Sequence, residues 1–118
     1  MKPVEAFERI YLHRQPVDFR RSINGLAILV EQQMQLPLYS SALFVFINKS
    51  RNKLKILYWD HSGFCLWYKR LEQEKFKWPR HDPDEVVLLT AEEMDWLLRG
   101  FDIRQMQPHN VLEYNVFY

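Results

Sequence analysis

The chain has 118 residues, 47% of them hydrophobic, and a formal net charge of +1, which fits one compact domain (1–118) with a core of its own and argues against disorder of the whole chain. A single cysteine, Cys65, excludes an internal disulfide and a cysteine-based zinc site. No secretory leader pattern and no apolar run of ~20 residues occurs, so we expect a cytoplasmic protein without membrane contact.

Charge is segregated along the chain. Between residues 49 and 80 there are nine Lys or Arg and three acidic residues, whereas residues 82–102 hold seven acidic residues and only Arg99 as a cation. Such segregation can orient a domain toward a polyanion or a complementary protein surface, although solvated loops produce the same pattern.

The N-terminal half predicts a strand followed by a helix. Residues 9–13 are a strand candidate, and Asp18 is a plausible N-cap for the helix that follows. Pro37 prevents the helix from continuing. Apolar residues recur at helical spacing and predict one buried face, made of Phe19, Ile23, Leu26, Ala27, Val30 and Met34.

Three segments, 43–48, 54–59 and 64–70, are rich in aromatic and branched residues and are separated by turn residues, which predicts an antiparallel meander. If Asn48 pairs with Lys53 and Trp59 with Phe64, the alternation of side chains defines two faces. We expect the first helix to pack on the mostly aliphatic face, which carries Leu43, Val45, Ile47, Leu54, Ile56, Tyr58, Cys65 and Trp67. The opposite face is mixed and carries Phe44, Phe46, Asn48, Lys53, Lys55, Leu57, Trp59, Phe64, Leu66, Tyr68 and Arg70.

Beyond the meander, residues 72–78 suggest another short strand or ribbon, 79–84 a polar linker, and 86–89 a short strand. Thr90 and Glu93 have the spacing of a capping box and predict a helix over 91–99 that Gly100 terminates. Residues 103–118 form an apolar tail that docks either on the domain or on a partner. The predicted fold is therefore α+β, an antiparallel β-meander packed against an N-terminal helix, with a second short helix near the C-terminus.

The sequence contains no pattern that supports an active site, a metal site or a cofactor. The four histidines are dispersed and the three glycines form no phosphate-binding loop, so we predict no catalytic or metal-binding residues and no cofactor. One catalytic hypothesis stays open, a metal-dependent nuclease assembled from Asp18, Asp60 and Asp82. The spacing of these residues also fits cap, turn and linker roles.

Nucleic-acid binding has more support. Basic side chains that could neutralise phosphate are Lys49, Arg51, Lys53, Lys55, Lys69, Arg70, Lys75 and Lys77. Phe46, Trp59 and Tyr68 on the mixed face are candidates for base stacking. The alternative is that these rings are core beneath a second layer, since large rings usually supply buried area.

The run LFVFINKSRNKLKILYWDHSGFCLWYKRLE, from Leu43 to Glu72, closely resembles the TnpB accessory proteins of insertion sequences of the sixty-six type, which are unrelated to the RNA-guided nucleases that share the TnpB name. The resemblance extends to FKWP (76–79), RIYL (9–12), DFRR (18–21), GLA (25–27), LLT (88–90) and LLRGFD (97–102). It implies an accessory role in transposition beside a separate transposase of the DDE class, with no active site to carry over.

Two functional hypotheses follow. In the first, the protein binds DNA at the ends of the element and assists the transposase encoded by the same element. In the second, it is a purely protein-binding transposase adaptor without DNA contact, acting through the acidic helix around Glu92, Glu93 and Asp95 or through the tail. The oligomeric state stays open.

Overall fold

The computed structural model describes residues 2–105. Its centre is a five-stranded sheet in the order β4-β3-β2-β1-β5. The strands are β1 (Arg9–His13), β2 (Ala42–Ile47), β3 (Lys53–Asp60), β4 (Gly63–Arg70) and β5 (Val86–Leu88). Helix α1 (Ile23–Ile28) continues into a π-helical turn (Leu29–Met34), and α2 (Ala91–Leu98) follows β5. The predicted α+β class is confirmed. No helix within residues 2–105 is long and apolar enough to cross a membrane.

The predicted meander is β2-β3-β4, with the predicted register. The Asn48 N–H donates to the Lys53 carbonyl (3.2 Å), and Trp59 lies opposite Phe64. The sheet is nevertheless wider than the meander, because β1 pairs parallel with β2 and β5 pairs antiparallel with β1. These two pairings join segments far apart in sequence, which local patterning does not reveal.

Helix α1 packs on the face opposite to the one we predicted. The strand residues alternate between the faces as expected, but Leu26 of α1 and Val30 of the π-helical turn pack among Phe44, Phe46 and Leu57 of the mixed face. The physical reason is topological. Because β1 and β2 are parallel neighbours, α1 is the crossover between them, and the right-handedness of such crossovers selects the side of the sheet.

The aliphatic face is covered by pieces from both halves of the chain. Phe7, Phe76 and Trp78 pack there together with Met94 and Leu97 of α2. Ile103 is 3% exposed and belongs to the same cluster, so the first residue of the predicted tail is docked on the domain. The rest of the tail, 106–118, lies outside the described residues.

Two local predictions about helix ends had different outcomes. Asp18 does not cap α1: its carboxylate accepts the backbone N–H of Arg20 (2.9 Å) in a turn, and the helix begins only at Ile23. The capping box of α2 is confirmed, since Thr90 Oγ1 accepts the Glu93 N–H (3.0 Å) and the Glu93 carboxylate accepts the Thr90 N–H (2.9 Å). Residues 72–78 form no strand.

Candidate nucleic-acid interface

The turn between β2 and β3 is held by one side chain. Asn48 Oδ1 accepts the N–H groups of Asn52 (3.1 Å) and Lys53 (3.0 Å), and its Nδ2 donates to Asn52 Oδ1 (2.7 Å). Arg51 takes a left-handed backbone conformation (φ 60°) within this turn. The turn is therefore an ordered platform that presents Lys49 and Arg51 at one end of the sheet.

The segment that follows β4, residues 71–80, passes next to this turn. Its backbone is anchored there, because the Phe76 N–H donates to the Arg51 carbonyl (2.8 Å). Phe76 and Trp78 point into the core, and the Trp78 Nε1–H donates to the Arg14 carbonyl (2.8 Å). Buried and exposed positions alternate here, so Lys75 and Lys77 point outward.

Together the turn and this segment form a basic groove of about 570 Å³. Its cations are Arg51, Lys75, Lys77 and Arg80; Glu74 and Asp102 are the acidic residues of its lining. Within residues 2–105, the structure shows no ion pair to Arg51, Lys75 or Lys77. The sequence does not predict Arg80 as a phosphate contact, because it follows Pro79 in an apparent linker.

Lys53 and Arg70 extend this positive surface onto the sheet. They lie directly opposite each other on β3 and β4, where like charges repel. Arg70 is partly neutralised by Glu72, whose carboxylate lies 2.9 Å from the Arg70 Nε and raises the pKa of the guanidinium. The structure shows no carboxylate paired with Lys53 in the described part of the chain.

Two of the predicted phosphate contacts are instead engaged within the fold. Lys55 Nζ donates to the carbonyls of Phe19 (2.9 Å) and Arg21 (2.8 Å) and lies 4.8 Å from the centre of the Phe19 ring. Burial, with a smaller contribution from Lys53, lowers the pKa of Lys55. Lys69 Nζ donates to the Leu98 carbonyl (3.1 Å) at the end of α2. Both ammonium groups satisfy backbone carbonyls that would otherwise lack partners.

The aromatic residues predicted to stack on bases also divide into buried and exposed ones. Phe46 is fully buried beneath α1, so its prediction as a stacking residue is wrong. Trp59 is half-buried at the far end of the sheet, 5.0 Å from both Phe64 and Tyr39 between ring centres. Tyr68 is 49% exposed and retains an accessible ring. Tyr39 is a further exposed ring, at 64%. The sequence does not predict it as a stacking candidate, because it lies in a loop without periodicity.

The structure does not bring the three aspartates of the nuclease hypothesis together. Asp18 pairs with Arg20, Asp82 pairs with Arg104, and Asp60 ends β3 beside the turn to β4. Across residues 2–105, no three His, Cys, Asp or Glu side chains are grouped so that they could hold a metal ion. Cys65 is half-buried in β4.

A mixed sheet with one helix on each face and a basic groove at one end defines a small α+β protein with a cationic surface. The chain belongs to the family described as IS66 Orf2 like protein, which matches residues 8–108. That membership associates it with transposition of insertion sequences, as an accessory protein.

Two relatives come from Sinorhizobium fredii. The uncharacterized protein y4jC is 40% identical over 94 residues, which is 80% of each chain. The uncharacterized protein y4hO is 31% identical over 107 residues, covering 91% of this chain and 92% of its own. No solved structure matches the chain significantly.

Proposed function

We propose that this protein is a non-catalytic accessory protein in DNA transposition, which binds the DNA backbone at element ends and assists the separate transposase in the cytoplasm. The observation that carries the proposal is the groove in which Arg51, Lys75, Lys77 and Arg80 come together from two segments. The phosphate-binding surface consists of this groove with Lys49, Lys53 and Arg70 beside it.

The chemistry of the groove suits phosphate better than base edges. Arg and Lys side chains neutralise phosphate oxygens and release counterions, which makes affinity depend steeply on salt. Glu74 and Asp102 in the lining moderate the positive charge. We therefore expect DNA binding that is sensitive to salt. Phosphate contacts do not read sequence directly, so a preference for element ends would require the transposase as well.

The test is fluorescence anisotropy with a labelled element-end duplex, a scrambled duplex and single-stranded DNA, each titrated at several salt concentrations. The variant Lys75→Ala/Lys77→Ala removes two exposed groove cations. The matched control Lys2→Ala/Arg9→Ala removes two exposed cations located away from the groove lining.

For the groove variant we expect affinity for duplex to fall by about tenfold and the slope of log K against log salt to become shallower by about 2, since each phosphate contact contributes roughly 0.9. The control should retain both values. Unchanged affinity and slope in the groove variant, or equal losses in the two variants, would remove the groove from the proposal.

The alternative is an adaptor that contacts the transposase and not DNA. Its acidic helix is only partly available, because Glu93 closes the capping box and Asp95 pairs with Arg99 (3.3 Å), which leaves Glu92. Absence of DNA binding even at low salt, together with co-purification of the transposase after nuclease treatment, would favour the adaptor.

A further inference from the structure

Strand β4 is a long edge of the sheet. It runs over eight residues, whereas β5 at the other edge has three. Among the described residues, no strand pairs with the outer side of β4. Short edge strands limit unwanted pairing, so β5 is a protected edge and β4 is an open one.

The hydrogen-bond phase of β4 shows which backbone groups face outward. The Leu71 N–H donates to the Asn52 carbonyl (2.8 Å), and antiparallel pairing alternates between bonded and non-bonded pairs from that point. The N–H and C=O groups of Phe64, Leu66 and Tyr68 therefore point away from β3. No backbone group within residues 2–105 is hydrogen-bonded to them from the outer side.

The side chains along this edge suit a neighbouring strand. Phe64, Leu66 and Tyr68 project on the α1 side, Cys65 and Trp67 project on the other, and all five are at least partly exposed. The register with β3 is unbroken from Arg70 to Gly63, so no bulge disrupts the edge, and it contains no proline. Bulges and prolines are devices with which proteins prevent edge pairing, and β4 has neither.

We propose that the outer edge of β4 pairs with β4 of a second copy, so that two sheets join into one across a twofold axis. The charges favour this occupant in the antiparallel orientation. With Leu66 opposite Leu66, the cations Lys69 and Arg70 of each copy lie toward the partner copy's turn between β3 and β4. That turn contains neither Lys nor Arg, and Asp60 ends β3 beside it. A parallel arrangement would place the same cations side by side.

The self-pairing is complementary in shape as well as in charge. The same register places Phe64 of one copy opposite Tyr68 of the other on both sides of the axis, as a closed twofold interface requires. Aromatic pairs across strands stabilise a sheet. The apolar surface on both sides of β4 would thereby be continuous between the copies, and this inference stands independently of DNA binding.

The experiment is sedimentation equilibrium of the full chain over a wide concentration range, for wild type, Tyr68→Pro and Tyr68→Ala. Proline removes an outward N–H that β3 does not use and blocks the approach of a second strand. Alanine keeps that N–H. We expect a wild-type dimer, a dimerisation affinity lowered by more than about tenfold for Tyr68→Pro, and a dimer that persists in Tyr68→Ala.

A second measurement covers the case in which Tyr68→Pro fails to fold. In wild type, the Leu66 and Tyr68 amides should be protected from hydrogen exchange at high protein concentration and lose protection on dilution. A monomer at every concentration, or a dimer that folded Tyr68→Pro leaves unchanged, overturns the proposal. Protection that is independent of concentration also overturns it, because another segment of the same chain would then cover the edge.

Discussion

Each face of the sheet carries a buried hydrophobic cluster, but the two faces are covered in different ways. On one face, a single helix that lies between β1 and β2 in the chain covers Phe44 and Phe46. On the other, separate segments around Phe7, Phe76 and Met94 converge from distant parts of the sequence. Grooves lie beside both covers: one of about 620 Å³ is lined by Val17, Phe19 and Asn48 at the entry to α1, and another, the basic groove, lies where separate segments of the second cover meet.

The largest expected effect compares a ring of the sheet that lies beneath α1 with a ring that belongs to the segmented cover. Phe46 and Phe76 are 0% and 2% exposed, so Phe46→Ala and Phe76→Ala should each lower the free energy of unfolding by about 3–5 kcal/mol. Urea denaturation measures both, with the Phe→Leu variants as milder controls. A much smaller loss for Phe76→Ala would mean that the segmented cover can detach while the rest of the fold stays intact.

The next effect separates two neighbouring lysines of β3. Lys55→Met removes the hydrogen bonds to the Phe19 and Arg21 carbonyls at the entry to α1 and should lower the free energy of unfolding by about 1–2 kcal/mol. Lys53→Met should change it by less than about 0.5 kcal/mol. DNA affinity should respond in the opposite order, with the larger loss for Lys53→Met. The same ranking in both assays would contradict the assignment of Lys55 to the fold.

The smallest effect concerns pH and the α1 face. Burial lowers the pKa of His13 below its ordinary value of 6.5, against a smaller opposing effect of its 2.7 Å contact between Nδ1 and the Gln15 carbonyl. The unfolded chain therefore binds a proton at higher pH than the folded one does. The stability that neutral His13 permits is complete above about pH 6.5 and declines as the pH falls through the lowered folded value.

Chemical denaturation between pH 5 and pH 8 checks this prediction. His13→Gln should flatten the decline on the acidic side, whereas His81→Gln, which replaces an exposed histidine, should follow wild type. An equal slope in all three proteins would show that other groups control the acid sensitivity.

Features encoded by adjacent residues were predictable. Thr90 and Glu93 satisfy each other across three residues, and the turn from Asn48 to Lys53 is closed by its own side chains, so the capping box, the meander and its register all follow from local chemistry.

Features that depend on distant partners were not predictable. Nothing near Arg9 indicates that β1 will pair parallel with β2, and that pairing decides which face α1 covers. Lys55 and Lys77 have the same charge in the sequence, but only Lys55 lies within reach of free carbonyls. Arg80 joins the groove because Trp78 anchors the preceding segment to Arg14.

The position of β1 also has a consequence for the order of folding. This strand is synthesised first, yet its neighbours in the sheet are β2, beyond a crossover spanning residues 14–41, and β5, more than 70 residues later. Closing long loops is slower than forming hairpins, so the meander of β2, β3 and β4 can assemble while β1 is still without partners. On the ribosome, the first of these five strands to be made would be the last to be enclosed, when β5 emerges and pairs with its free side.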